Sequence, residues 1–515
     1  MRWKDIHERC IRWENTTVKI LGLVEMMFAL LLLVPAAFTL YYGEDPLPFL
    51  APIPPLMVLG FLQYMTCIES KNFRTVNGII LVALVWMLMF AICTVPYILS
   101  GIAPVDAVFE AVSGVTTTGI SALGEIDSLD TSLMIWRSMT QWIGGITVVI
   151  IFLYFLPMVG FGRSLFQNEL AGSGTSSFTQ RTSKAAKSFI FIYMLLSLAN
   201  FAILLVLGVN FVEALCLMFT TISTGGLLII NSSMAVYSDA VQWVTMLFMF
   251  LGGTNFYLHY RMIYLRERRV YRTNSEFRVM IAWFLAISVI LFLFMVQTMM
   301  ADGTDLTLEN CYVTFKNVLF TTVSLGTTTG FYVDDFTLWP SQCMILLMLV
   351  AVIGASTSST SGGIKFSRLR IIYEYIKNGF RGIVHTNAVY AVKMDGKTVD
   401  DSLIQSTLVV FMMYMMTLTI AAVVFMIYGY DIVDSFGLSI SAVSNGGMGF
   451  GNFGPTGNYH DLSTDLKAIL IALMWIGRLE VVTAVVMFTP GFWKDVWLNS
   501  RSRRMAKRYR DRQGL

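Results

Sequence analysis

The sequence predicts an all-α integral membrane protein of about ten transmembrane helices. Two extra N-terminal spans precede four pseudo-repeated units, each a span, a short re-entrant helix, a loop and a second span, gathered around one axis. Three observations predict this: an apolar composition, span-length apolar runs with alternating basic loops, and an internal repeat. Hydrophobic residues make up 56% of the 515 residues and charged residues 13%, with a mean hydropathy of +0.67. A soluble domain carries about 25% charged residues, so the composition argues against a water-soluble enzyme and against disorder. The six cysteines (Cys10, Cys67, Cys93, Cys216, Cys311, Cys343) form no C-x-x-C pair, which leaves a zinc or disulfide framework unsupported. The charged start, MRWKDIHERCIRWENTTVK, lacks the apolar core and cleavage site of a signal peptide.

Apolar runs of about 20 residues, the length that crosses the hydrocarbon core, fall at 18–42, 47–67, 76–99, 133–158, 188–210, 240–262, 279–300, 341–364, 403–428 and 465–490. Cytoplasmic loops are enriched in Lys and Arg. Segments 1–19, 68–77, 159–187, 261–278, 365–397 and 494–515 hold 32 of the 36 Lys and Arg residues. They alternate with acidic loops such as GEIDSLD (124–130) and ADGTDLTLEN (301–310). Ten crossings then place both termini in the cytoplasm, as in a multi-pass membrane protein. Arg137 and Lys467 start spans on the outer side, where long side chains are expected to snorkel to water. Lys316 falls in a loop segment, and Arg478 lies deep in an apolar stretch.

The repeat carries more information than any single motif. VFEAVSGVTTTGIS (108–121) and NVLFTTVSLGTTTGFY (317–332) share V-S-x-x-T-T-T-G, whereas LCLMFTTISTGGLL (215–228) and LSISAVSNGGMGFGN (438–452) share a Ser-(Thr/Asn)-Gly-Gly. Gly119, Gly226, Gly330 and Gly447 are equivalent, 107, 104 and 117 residues apart. In ISTGGL either Gly225 or Gly226 fits that place, and Gly226 is preferred because it pairs with Gly447. Gly144, Gly252, Gly354 and Gly477 follow in the next spans, trailing by 25, 26, 24 and 30 residues. The expected division is 1–70 for the N-terminal segment and extra spans, 71–160, 161–265, 266–395 and 396–497 for the four repeats, and 498–515 for a basic tail.

Re-entrant stretches followed by Gly-rich backbone are tolerated at membrane depth only where buried in protein or lining a water-filled cavity. Four of them can close around a central pore. Glycine permits backbone angles that turn carbonyls toward the axis, and a ring of carbonyls can replace the hydration shell of a monovalent cation. The re-entrant helices aim their negative C-terminal ends at the same place. The candidate ion-binding residues are Thr116, Thr117, Thr118 and Gly119; Ser223, Thr224, Gly225 and Gly226; Thr327, Thr328, Thr329 and Gly330; and Ser444, Asn445, Gly446 and Gly447. Close helix packing is the competing use of such small residues, and the fourfold recurrence weighs against it.

The mid-span segment GASTSSTSGG makes a poor membrane helix. Gly354, Ser356, Thr357, Ser358, Ser359, Thr360, Ser361, Gly362 and Gly363 are read as a flexible gate beneath the filter, with a simple helix kink as the alternative. Arg478 replaces a small residue of the later motif (WIGG, LGG, IGA, IGR) and would face the pore as a positive barrier, or else pair with an acid other than Glu480, which sits two residues on. Glu110 and Glu213 precede their loops near the outer mouth, where they would concentrate cations. His7, His259, His385 and His460 lack metal-ligand spacing. No catalytic constellation appears, so an enzyme is not expected.

These motifs, with WRSMTQWIGGITVVIIFLYFLP (136–157), LGGTNFYLHYR (251–261), STSGGIK (359–365) and WIGRLEVVTAVVMF (475–488), resemble the Trk/Ktr/HKT superfamily of potassium transporters, and most closely its bacterial TrkH/TrkG branch. The resemblance spans essentially the whole chain. It implies potassium uptake through a gated, channel-like pore with a four-loop carbonyl filter, K⁺ as transported and bound ion, and no organic cofactor in this chain. It implies a homodimer in the lipid bilayer, a cytoplasmic TrkA-type RCK nucleotide-binding regulatory subunit, and no nucleic-acid partner. Gly119, Gly226, Gly330 and Gly447 match its filter glycines, 354–363 its gating loop and Arg478 its pore-blocking arginine. An ion-coupled potassium symporter, moving H⁺ or Na⁺ with K⁺, is the alternative; its proton site would have to be Glu110, Glu213 or Glu480.

Overall fold

The computed structural model describes residues 13–68, 75–124, 126–155, 178–227, 229–303, 305–385 and 390–494. The basic tails 1–12 and 495–515, and most of the basic loop 159–187, lie outside the described residues. The fold is all-α and built for a membrane. Seven helical segments among the described residues are long and apolar enough to cross one. Two two-residue ladders, 13–14 with 67–68 and 393–394 with 397–398, are the β structure there.

The first span is two helices, α1 (Thr16–Leu31) and α2 (Leu33–Tyr42). They part where Pro35 has no N–H to return to Leu31. The proline-rich second span is α3 (Leu47–Leu50) and α4 (Ile53–Thr66), with the prolines in the first turns, where a helix leaves N–H groups unused anyway. A Cβ on Gly22 would lie 2.6 Å from the Gly60 carbonyl, so α1 and α4 approach backbone to backbone as small-residue membrane pairs do. Gln63 donates to Glu25 at 3.0 Å across the same contact.

Four units follow. The first spans are α5 (Thr75–Leu99), α8 (Phe178–Val206), α13 (Ser275–Ala301), led into by the short α12 (Val270–Thr273), and α17 (Asp401–Ile427). The re-entrant helices are α6 (Pro104–Val115), α9 (Phe211–Ile222), α14 (Leu308–Gly326) and α18 (Ile432–Val443). At 19 residues α14 is longer than the others and takes in Lys316, which the sequence had assigned to a loop segment. The second span of unit one is continuous, α7 (Thr131–Phe155). The other three are divided: α10 (Asp239–Gly252) from α11 (Phe256–Ile263), α15 (Ser341–Val352) from α16 (Phe366–Val384), and α19 (Thr464–Arg478) from α20 (Val481–Met487). A break was expected only in the third. The first halves, α10, α15 and α19, are 14, 12 and 15 residues, some 18–22 Å at 1.5 Å per residue, short of the ~30 Å hydrocarbon core.

The units pack in a closed cycle. Each re-entrant helix touches both spans of its own unit and the second span of the unit before it: α9 against α7, α14 against α10, α18 against α15, and α6 against α19. The last of these joins unit four back to unit one.

Candidate pore and filter

All four re-entrant helices end in the same way. The N–H of the second residue beyond the cap returns to the carbonyl five positions back: Thr118 to Ser113 at 2.9 Å, Gly225 to Thr220 at 2.9 Å, Thr329 to Ser324 at 2.8 Å and Gly446 to Ser441 at 3.0 Å. The residue before each makes the inner bond, as in Thr117 to Gly114 and Asn445 to Ala442. This is the Schellman termination, whose left-handed position usually belongs to glycine. Here Thr117, Thr224, Thr328 and Asn445 hold it, with φ of 52°, 51°, 56° and 52°. For β-branched threonine that conformation is strained, and strain of this kind collects at functional sites.

Two residues on, Gly119, Gly226, Gly330 and Gly447 have φ of 89°, 67°, 88° and 74°. Gly226, and not Gly225, therefore takes the conformation shared by the other three. The four glycines close a ring. A Cβ on Gly119 would overlap the carbonyl of Gly225, and one on Gly226 that of Thr329. One on Gly330 would lie 3.1 Å from the carbonyl of Gly446, and one on Gly447 2.6 Å from that of Thr118. Each glycine thus abuts the carbonyl that precedes the glycine of the next loop, through all four units and back to the first. Among the described residues the carbonyls of Thr118 and Thr329 accept no hydrogen bond, whereas Gly446 accepts from Met448 N–H at 2.9 Å and Gly225 from Gln141 at 2.8 Å. The hydroxyls of Thr116 and Thr118, and of Thr327 and Thr329, lie 2.7 and 2.8 Å apart, while Ser223 donates back to Phe219 and Ser444 meets Tyr414 at 2.6 Å. Outside the ring lies a cavity of about 320 Å³, lined by Gly119, Gly330, Gly447, Asn231, Tyr332 and Tyr459.

The later glycines set the spacing of this ring. A Cβ on Gly144, Gly252 or Gly477 would collide with the carbonyl of Val115, Ile222 or Val443, the last residue of the neighbouring re-entrant helix. Gly354 departs from the set and packs instead on Gly362 and Gly363.

The segment between α15 and α16 lies against the inner side of the ring. Thr360 Oγ1 donates to Gly252 O at 3.0 Å and receives the Thr224 hydroxyl at 3.0 Å. Gly362 N–H donates to Thr328 Oγ1 at 2.7 Å, and a Cβ on Gly362 would overlap the Ser444 carbonyl. Its outer turn is stitched to the break between α10 and α11: Ser356 N–H to Gly253 O and Phe256 N–H to Ser358 O, both 3.1 Å. Ser359 Oγ meets Ser361 Oγ at 2.9 Å. Thr357 N–H donates to buried Glu276 at 2.7 Å. Ser356, Ser358, Ser359, Thr360 and Ser361 are buried.

Arg478 is buried, and its Nη2 donates to the Thr360 carbonyl at 3.0 Å. Its Nε has no hydrogen-bond partner among the described residues. Glu480 turns to Arg368, at 2.7 Å to both carboxylate oxygens. Lys365 Nζ bonds the Ser361 carbonyl and lies 3.1 Å from the Ser361 hydroxyl. Lys365, Arg368, Arg478 and Glu480 surround a cavity of about 30 Å³. The sequence signalled Arg478 by its depth. It did not single out Lys365, because the break that brings it inward ends only at α16.

Two expectations are corrected, the snorkelling of Arg137 and Lys467 and the free acids at the outer mouth. Arg137 does not snorkel: it is buried and pairs with buried Glu110 at 3.1 Å. Lys467 pairs with Asp106 at 2.6 Å and Lys316 with Asp239 at 2.5 Å, ties between units four and one and between two and three. Nor is Glu110 free at the mouth: it accepts from Ser121 Oγ at 2.5 Å and Ala122 N–H at 2.8 Å. Glu213 accepts from Tyr237 at 2.8 Å. His259 is structural, held by Tyr271 at 2.7 Å and the Leu251 carbonyl at 3.0 Å. A further site residue, Gln141, went unmarked inside WRSMTQWIGG; its signal was a lone amide three residues before Gly144 in an apolar span.

A family model described as TrkH, cation transport protein, matches residues 55–494. The Trk system potassium uptake protein TrkH of Halomonas elongata is 31% identical over 493 residues, covering 93% of this chain and 98% of that protein. The protein of the same name from Escherichia coli K12 is 28% identical over 485 residues, covering 93% and 99%. The crystal structure of the potassium transporter TrkH from Vibrio parahaemolyticus superposes with a TM-score of 0.82 at 26% identity, covering 92% of this chain and 98% of that one.

Proposed function

The chain belongs to the TrkH family of cation transport proteins, a family of transporters and not enzymes, and from that membership we propose that it takes up potassium across a bacterial inner membrane through a gated, channel-like pore. The observation that carries this is the closed ring of four loops, in which each glycine abuts the next loop's carbonyl. Backbone carbonyls at 116–119, 223–226, 327–330 and 444–447 replace the water a potassium ion leaves behind. The units 71–160, 161–265, 266–395 and 396–497 are the four repeats of this pore.

The loop 354–363 is the gate. It is hydrogen-bonded to the filter loops of units two and three, and it carries Lys365 and the Arg478 contact on its inner side. A cation held there opposes the passage of another cation. A cytoplasmic TrkA-type nucleotide-binding subunit releases the loop, in a complex built on a homodimer with both termini cytoplasmic. The three acids open to a proton-coupled carrier are each engaged: Glu110 by Arg137, Glu213 by Tyr237 and Glu480 by Arg368. That favours a pore over a symporter.

The test is ion-replacement flux through purified protein in liposomes. Potassium flux that persists without a proton or sodium gradient supports the pore. Uptake that stops when either gradient is removed overturns it in favour of coupling.

A further inference from the structure

The four filter loops are held by different means. In units one and three a serine of the loop's own re-entrant helix braces the far side of the glycine: Ser113 Oγ donates to Ile120 O at 2.5 Å and Ser324 Oγ to Phe331 O at 2.6 Å. Thr220, at the matching place in unit two, bonds back into its own helix, to Cys216 O at 3.0 Å. The brace for loop two comes from the neighbouring unit. Gln141 of α7 is fully buried; its Nε2 donates to Gly225 O at 2.8 Å and its Oε1 accepts from Leu227 N–H at 3.0 Å. One amide grips the backbone on both sides of Gly226.

Gln141 also accounts for the double glycine in ISTGGL. A Cβ on Gly225 would meet the Gln141 side-chain oxygen and nitrogen at 2.5 and 2.7 Å. Units one and three carry Thr118 and Thr329 at that place. In unit four a Cβ on Gly446 would find its nearest neighbour at 3.9 Å, so that glycine is not forced by crowding. The residues at Gln141's position in the later spans are Met249, Ala351 and Met474, none of which can make the clamp.

We infer that Gln141 is a positioning residue for ion selection: it fixes loop two from outside and occupies the Gly225 carbonyl, making the ring's ligand field unequal between units. This rests on the filter role of the four loops. With the clamp lost, the Gly225 carbonyl is free to move inward, and a smaller ion is better accommodated. A buried hydrogen bond of this kind is worth enough to shift an ion preference by roughly threefold or more.

The experiment measures the Na⁺/K⁺ and Rb⁺/K⁺ flux ratios in liposomes for Gln141→Met, Gln141→Leu, Gln141→Asn and Gly226→Ser. A ratio counts only molecules that conduct, so a lower yield of folded protein does not enter it. Gln141→Met keeps the length of the side chain and loses both the donor to Gly225 and the acceptor for Leu227 N–H, and serves where Gln141→Leu does not reconstitute. A Na⁺/K⁺ ratio raised roughly threefold in Gln141→Met or Gln141→Leu, and raised less in Gln141→Asn, supports the assignment. Ratios unchanged in the Gln141 variants but altered by Gly226→Ser overturn it and leave the filter standing. Ratios unchanged in all four overturn the filter as well.

Discussion

Arg478 Nη2 donates to the carbonyl oxygen of Thr360 at 3.0 Å, joining the last turn of α19 to the loop between α15 and α16. The contact spans two units, so the cation of unit four holds the loop of unit three. Removing the guanidinium removes both a buried charge and the tie. Arg478→Ala is expected to raise basal potassium flux about tenfold, the scale of one charge-assisted hydrogen bond. A fall in flux at equal protein density would count against the barrier role.

The filter glycines admit no side chain. Gly119 and Gly330 have φ of 89° and 88°, and a Cβ on Gly330 would sit 3.1 Å from the Gly446 carbonyl. Gly119→Ser and Gly330→Ser are expected to reduce potassium over sodium discrimination while leaving some flux. The permeability ratio under bi-ionic conditions checks this; unaltered ratios in both variants would remove the filter assignment.

Residues 356–361 bridge the Ser/Thr-Gly loop of unit two and the α10–α11 break. Deleting part of this stretch is expected to leave flux high and insensitive to the proposed cytoplasmic subunit. Flux measured with and without that subunit decides the matter, and regulation that survives intact places the gate elsewhere.

The Glu110–Arg137 pair is 0% and 1% exposed. Breaking such a pair from one side strands a buried charge, at a cost of about 3–5 kcal/mol. Arg137→Leu is therefore expected to lower the melting temperature in detergent strongly, and the double change Glu110→Leu with Arg137→Leu to recover much of the loss. Equal melting of the single variant and the unaltered protein would show that the pair carries no net stability.

Much of this was legible in order along the chain. Apolar runs and basic loops mark the crossings because a bilayer imposes one length and one charge bias on every span. The fourfold Ser/Thr-Gly pattern marks the loops because a shared backbone geometry needs the same small residues each time. Glu480 shows the limit: two residues from Arg478 in sequence, it bonds Arg368 instead. The divisions at Gly253–Asn255 and Leu479–Glu480 were not legible either, since each lies within an apolar run and depends on the tertiary contacts around it.

The sequence by itself determined the class and the register of four equivalent loops, properties that repeat locally and are written in composition and period. Only the tertiary structure decided who holds whom. Gln141 clamps Gly225, Lys467 finds Asp106, and Arg478 reaches Thr360 across many intervening residues. A buried polar atom takes whichever partner the packing brings within about 3 Å, and closing four units into a ring makes neighbours of segments that are far apart along the chain.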